Sequence, residues 1–156
     1  MSDFSDSVGG KTLYGGSQYS ADYDRFGNQN SAFYFSSGYL QVPSGVYIAG
    51  DYTIIAWIYL KSYQKMSRII EFSNGKITNN IIFSMNSASQ LYLCNIVNSV
   101  YTGDLNAPSS SVIDLYVWYH VVSVFKGTTG SIYVNGVNVV NGTQNAPANV
   151  TRSKNE

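Results

Sequence analysis

One cysteine, one histidine and two glutamates stand in 156 residues, and each scarcity removes a class of explanation. Cys94 has no second cysteine to pair with, so no intrachain disulfide can form and the fold must rest on its core. Within Leu91-Tyr92-Leu93-Cys94 it reads as a small buried hydrophobe. A zinc site built from a Cys/His cluster is excluded, and any histidine base would have to be His120. So few Glu and Leu leave little material for long helices. Charge is sparse and balanced, nine basic against nine acidic residues. Without a basic excess there is no electrostatic footprint for nucleic acid and no polybasic patch for an anionic membrane. No apolar run is long enough to insert across a bilayer. Met1-Ser2-Asp3-Phe4-Ser5-Asp6 has neither a charged n-region nor an apolar h-region, so no secretion signal is expected in this chain.

What is present is aromatic and β-branched. Fourteen Tyr, seven Phe and two Trp accompany abundant Val and Ile, side chains that suit a pleated, half-buried surface. A hydrophobic content of 44% argues against disorder, and the length fits one domain spanning 1–156. Apolar runs at 32–35, 39–42, 52–60, 68–72, 81–85, 90–96, 118–125, 131–134 and 137–140 are predicted strands. Gly, Asn, Ser and Pro punctuate them. Strands at this spacing, with turn signals and no helical period, predict an all-β antiparallel sandwich or barrel. The clearest local signal is Asn135-Gly136, which supplies the two positive φ values of a type I′ turn between 132–134 and 137–140. With 121–125 this makes a three-stranded meander, expected inside a sheet. Residues 103–111 read as one long loop. A low-charge surface rich in Asn, Ser, Gly and Tyr suits neutral polar partners, sugars included.

The succession Asp24-Arg25-Phe26-Gly27-Asn28-Gln29-Asn30-Ser31-Ala32-Phe33-Tyr34-Phe35, Leu40-Gln41-Val42-Pro43, Tyr52-Thr53-Ile54-Ile55-Ala56-Trp57, Trp118-Tyr119-His120-Val121 and Tyr133-Val134-Asn135-Gly136 resembles the laminin G-like jelly-roll family of the concanavalin A-like lectin and glucanase superfamily. No single piece is specific; the ordered set, from about Asp6 to Arg152, carries the likeness. The resemblance implies a two-layer jelly roll that binds carbohydrate, protein or matrix ligands. It favours an extracellular setting and, in some members, a calcium ion at the rim. Relative to the family pattern the sequence lacks an opening strand and a closing aromatic-rich strand. A partial domain is therefore expected, with an open edge through which chains would self-associate.

Glycoside hydrolysis needs two carboxylates roughly 5–10 Å apart. Glu71 is the only internal glutamate and has no acidic neighbour in sequence, so it reads as an ion-pair or solvent-facing residue and no enzyme is expected. His120, mid-strand in a family motif, reads as structural, with Trp57, Trp118, Asn135 and Gly136. The two tryptophans are expected as core anchors. Calcium takes six to eight oxygen ligands, and Asp6, Asp24 and Asp104 are the candidates, with Asp22 and Asp114 nearby in sequence. The plainer reading is that Asp6 and Asp24 cap turns. No cofactor is required. For carbohydrate, Tyr19, Tyr23, Tyr47, Tyr63 and Tyr101 are the candidate platforms, while Tyr59, Tyr92, Tyr119 and Tyr133 default to the core. Asn141-Gly142-Thr143 and Asn149-Val150-Thr151 match the glycosylation sequon. The sequence thus predicts a non-catalytic recognition module. The alternatives are a structural or self-associating fragment without a ligand and, more remotely, a glycan-processing enzyme.

Overall fold

The computed structural model describes residues 6–15, 18–75, 77–86, 89–145 and 150–152. The chain divides into two compact units, Met1–Ser44 and Gly45–Lys154. No helix is found among the described residues, and none is long and apolar enough to cross a membrane.

The first unit holds β1 (Tyr14–Gly15), β2 (Tyr19–Asp22), β3 (Ala32–Phe35) and β4 (Leu40–Gln41). β2 and β3 form a hairpin in which Tyr19 lies opposite Phe35, and β1 pairs with β4. The rings of Tyr19 and Phe33 meet edge to face at 6.0 Å, which holds the hairpin on one side.

The second unit carries β5 (Gly45–Ile48), β6 (Tyr52–Tyr59), β7 (Arg68–Ser73), β8 (Asn80–Met85), β9 (Leu91–Val97), β10 (Val100–Tyr101), β11 (Leu105–Asn106), β12 (Trp118–Lys126), β13 (Thr129–Val134), β14 (Val137–Thr143) and β15 (Val150–Arg152). One sheet has the order β14-β13-β12-β6 and the other β10-β9-β8-β7, with β11 also paired to β9; β5 pairs with β15. All these strand pairs are antiparallel. This is the two-layer all-β sandwich the sequence implies. Short strands outside the predicted runs, β1, β2, β5, β10 and β15 among them, differ from expectation, and so do two features of the sheets. The 103–111 segment includes β11, which adds to β9, and the meander ends at a sheet margin because β14 is outermost.

The core follows from the two-residue period of a strand. On β12, Val121, Ser123 and Phe125 are buried, and on β6 Tyr52 and Ile54 are buried beside them. Tyr52 and Phe125 stack at 5.6 Å. From the other sheet come Ile81, Phe83, Met85, Leu91 and Leu93, all 3% exposed or less. Polar atoms stitch the layers together. The Tyr52 hydroxyl donates to Asn95 Oδ1 (3.1 Å), and Asn95 Nδ2 donates to Gln144 Oε1 (3.4 Å). Gln144 Nε2 in turn donates to the carbonyls of Leu93 (3.1 Å) and Gly103 (2.6 Å). Buried amides so fully partnered fix one register between the layers.

Candidate functional site

The alternation that buries one side of β6 and β12 puts the other side outward. On β6 this side bears Thr53, Ile55, Trp57 and Tyr59; on β12 it bears Trp118, His120, Val122 and Val124. Register then sets cross-strand rungs, because Tyr59 lies opposite Trp118, Trp57 opposite His120 and Ile55 opposite Val122. Cross-strand neighbours on one face are the closest side chains in a sheet. The Trp57 and His120 rings accordingly lie 5.1 Å apart, inclined at 47°, and those of Tyr59 and Trp118 5.4 Å apart at 44°. Tyr116, 64% exposed, sets its ring edge-on to Tyr59 at 6.3 Å. Successive rungs are about 7 Å apart, two residues along each strand. Tyr133 on β13 continues the face opposite Val122, and Asn138 on β14 follows it.

This corrects the expectation that Trp57 and Trp118 anchor the core. Trp57 is 45% exposed on the outward side and Trp118 is half-buried there, with Tyr59 beside it. Tyr59 and Tyr133, assigned by default to the core, also occupy this face. His120 is half-buried in mid-sheet as expected, and its backbone is held by the turn after β13. Asn135 N donates to His120 O (2.8 Å), and Asn135 Oδ1 accepts from His120 N (2.9 Å). Asn135 and Gly136 have φ of 49° and 83°, as a type I′ turn requires.

The five candidate tyrosines are not gathered into one platform. Tyr19 and Tyr23 belong to the first unit, where Tyr23 is exposed and its hydroxyl accepts from Gln29 Nε2 at 2.8 Å. In the second unit, Tyr47 stacks on the buried Phe72 at 5.4 Å, so one ring face is used in packing. Tyr101 ends β10 at the margin of the opposite sheet. Tyr63, in the loop after β6, lines a notch of about 10 Å³ with Leu60, Ser62, Gln64 and Asn86. That volume holds about one water, not a sugar. At the other end of the aromatic face lies a shallow depression of about 270 Å³ lined by Asp51, Thr53, Val124 and Lys126.

The acidic candidates are committed to local structure. Asp6 Oδ1 accepts from Val8 N, and the Gly9 and Val8 amides hold its carboxyl below the usual 3.8. Asp24 Oδ1 accepts from Phe26 N and Asn28 N, and Oδ2 from Asn28 Nδ2. The Asn28 side chain is the main reason the Asp24 carboxyl lies low. Both are turn caps. Asp104 is exposed beside Tyr92 and Cys94, and Asp114 accepts from the Tyr119 hydroxyl at 3.0 Å. Among the described residues no three His, Cys, Asp or Glu side chains converge to hold a metal ion. Glu71 is ion-paired with Arg68 at 2.7 Å. Cys94 is fully buried, and burial with the Asp104 carboxylate pushes its thiol up to about 12. Asn141 is exposed on β14, whereas Asn149 lies outside the described residues.

Among solved structures, one similar to this chain is domain 4 of AbnA, a GH43 extracellular arabinanase from Geobacillus stearothermophilus, in complex with arabinotriose. The TM-score is 0.69 at 17% identity, covering 97% of this chain and 74% of that one. The carbohydrate binding module CBM66 from Bacillus subtilis matches less well, with TM-score 0.47 at 15% identity over 70% of this chain and 66% of that one. At this identity the arabinanase domain shows a shared fold. No curated protein matches the sequence. The sequence model of one family, the concanavalin A-like lectin/glucanases superfamily (Laminin_G_3), matches residues 35–155. With the antiparallel sandwich in place and most of the sequence matched, this chain belongs to the concanavalin A-like lectin/glucanases superfamily.

Proposed function

We propose that the protein is a non-catalytic carbohydrate-recognition module, and that it binds its ligand on the outward face of β6 and β12. The observation that carries this reading is the pair of aromatic rungs, Trp57 with His120 and Tyr59 with Trp118, on the outward side of the sheet with Trp57 exposed and the other three half-buried. Large aromatic side chains gathered on the outward side of β6, an end strand of its sheet, and its neighbour β12 forgo favourable burial, which marks the patch as a contact surface. Their faces suit the C–H surfaces of a sugar ring, which need an apolar contact on one side and polar groups at the margin. Polar groups are at hand in the His120 ring, the Tyr59 and Tyr133 hydroxyls and the Asn138 amide. The family and the likeness to an arabinanase domain solved with arabinotriose agree with this ligand class.

The reading without catalysis is supported by Glu71, which is engaged with Arg68, and by the commitment of Asp24 to its own turn. The test is a glycan array followed by calorimetry on wild type and Trp57→Ala. Removing the central exposed ring should weaken binding at least about tenfold, the range of an interface hot spot. Unchanged affinity in Trp57→Ala, with the fold intact by circular dichroism, would remove the site from this face.

A further inference from the structure

We infer that this face selects neutral oligosaccharides and rejects uronate-bearing and sulfated ones, a conclusion that rests on the carbohydrate reading above. The outward positions of the sheet are Thr53, Ile55, Trp57 and Tyr59 on β6, then Trp118, His120, Val122 and Val124 on β12. Lys126 at the end of β12, Thr129, Ser131 and Tyr133 on β13, and Asn138, Asn141 and Thr143 on β14 complete the surface. Of these fifteen, only Lys126 is an Asp, Glu, Lys or Arg, and it lies at the end away from the rungs. Recognition of a carboxylate or sulfate group draws on Arg or Lys donors at hydrogen-bond range, and along the aromatic rungs no strand position offers one; Lys126 stands at the far end of β12.

The charged groups that border the face lie at its ends. Lys126 and Asp51 sit together at the depression beside Thr53 and Val124, and the Asp51 carboxylate accepts from Gly127 N at 2.8 Å. At the Tyr116 end, Asp114 is bonded to the Tyr119 hydroxyl. An anionic glycan laid along the rungs would lose hydration from each acid group and meet aliphatic, aromatic, hydroxyl and amide surface with no Lys or Arg among the rungs, a net cost. A neutral chain meets the same surface without that cost. The length of the track points to a chain of linked sugars, because two rungs about 7 Å apart offer two stacking positions along the strands.

The experiment compares neutral arabino- and xylo-oligosaccharides with oligogalacturonates and heparin oligosaccharides by calorimetry, at about 20 mM and about 500 mM salt. The expected result is binding of a neutral series, tighter for the trisaccharide than the monosaccharide, with affinity changing less than about twofold between the two salts. Oligogalacturonate and heparin should show no binding to wild type. Ile55→Lys places a cation at an exposed position of the face and should create weak, salt-sensitive oligogalacturonate binding. Tighter binding of wild type to an anionic series than to any neutral one overturns the selectivity and leaves the carbohydrate reading standing. Absence of binding to every glycan overturns both.

Discussion

Asn135 grips His120 at both polar groups of its backbone: its amide donates to the His120 carbonyl at 2.8 Å and its side-chain oxygen accepts from the His120 amide at 2.9 Å. The ladder between β12 and β13 begins with Val121 opposite Val134, so these bonds extend the pairing to the residue whose ring packs on Trp57. One asparagine therefore shapes the turn through its positive φ and holds the aromatic rung in place. Asn135→Ala loses the side-chain acceptor and strains the turn, which together cost about 1–2 kcal/mol. The melting temperature should fall by about 2–8 °C. Asn135→Gly keeps the turn and loses only the acceptor, so it should fall less. Equal loss in the two variants would show that the strain at this positive φ contributes nothing and that the side-chain bond accounts for the whole effect.

Gln144, just past β14, is 1% exposed, and its side-chain amide reaches Leu93 and Asn95 on β9 of the other sheet and the Gly103 carbonyl. Gln144→Ala leaves buried carbonyls without a donor, at about 2–4 kcal/mol. Gly130 lies directly beneath it, and a Cβ there would run into the Gln144 side chain and come within 2.9 Å of Leu105 Cδ1. Gly130→Ala should cost about 1–3 kcal/mol by overpacking. Because the second variant clashes with the group the first removes, the double variant should lose less than the sum. Additive losses in urea denaturation would place the two effects in separate parts of the core.

The alkaline limb of stability follows from the Cys94 thiol. Burial and the Asp104 carboxylate raise it to about 12, above its unfolded value of about 8.5. A group raised in the folded state contributes stability that is complete below the unfolded value and is lost as pH climbs through the folded one. Burial raises the Tyr52 hydroxyl as well, which acts in the same direction. Stability should therefore be flat up to about pH 8.5 and decline towards pH 12. Cys94→Ser, which removes the titrating thiol, should make the decline shallower in pH-dependent denaturation; an unchanged slope assigns it to other groups.

Calcium should leave the melting temperature where it is. The carboxylates of Asp6 and Asp24 are filled by amides of their own turns, and no acidic cluster forms among the described residues. An ion that binds only the folded state raises stability with its concentration, so a melting temperature that climbs with calcium and falls back with chelator would reveal a site.

The long strands were legible because aromatic and β-branched residues crowd 52–60 and 118–125, and Asn135-Gly136 admits little but a tight hairpin turn. β1, β2, β5, β10, β11 and β15 are not among the predicted strands. Tyr19–Asp22 and Leu105–Asn106 are short and mixed in polarity, and Gly45–Ile48 follows a Pro-Ser-Gly turn signal. The orientation of β6 could not be read. Tyr52, Ile54, Ala56 and Ile58 are apolar, but so are Ile55, Trp57 and Tyr59 on the other face, and a strand apolar on both sides does not say which one is buried. The core partners Asn95 and Gln144 decide it by drawing Tyr52 inward, and that contact joins residues 43 positions apart and more. Loop tyrosines were favoured as platforms for the same reason.

The most direct test is nuclear magnetic resonance mapping of a neutral trisaccharide titrated into the labelled protein. The account predicts the largest shifts at the Trp57 and Trp118 indole protons and the His120 ring, with Tyr63 and Tyr101 unmoved. Shifts centred on Tyr63 or Tyr101, with the two indoles silent, would contradict it.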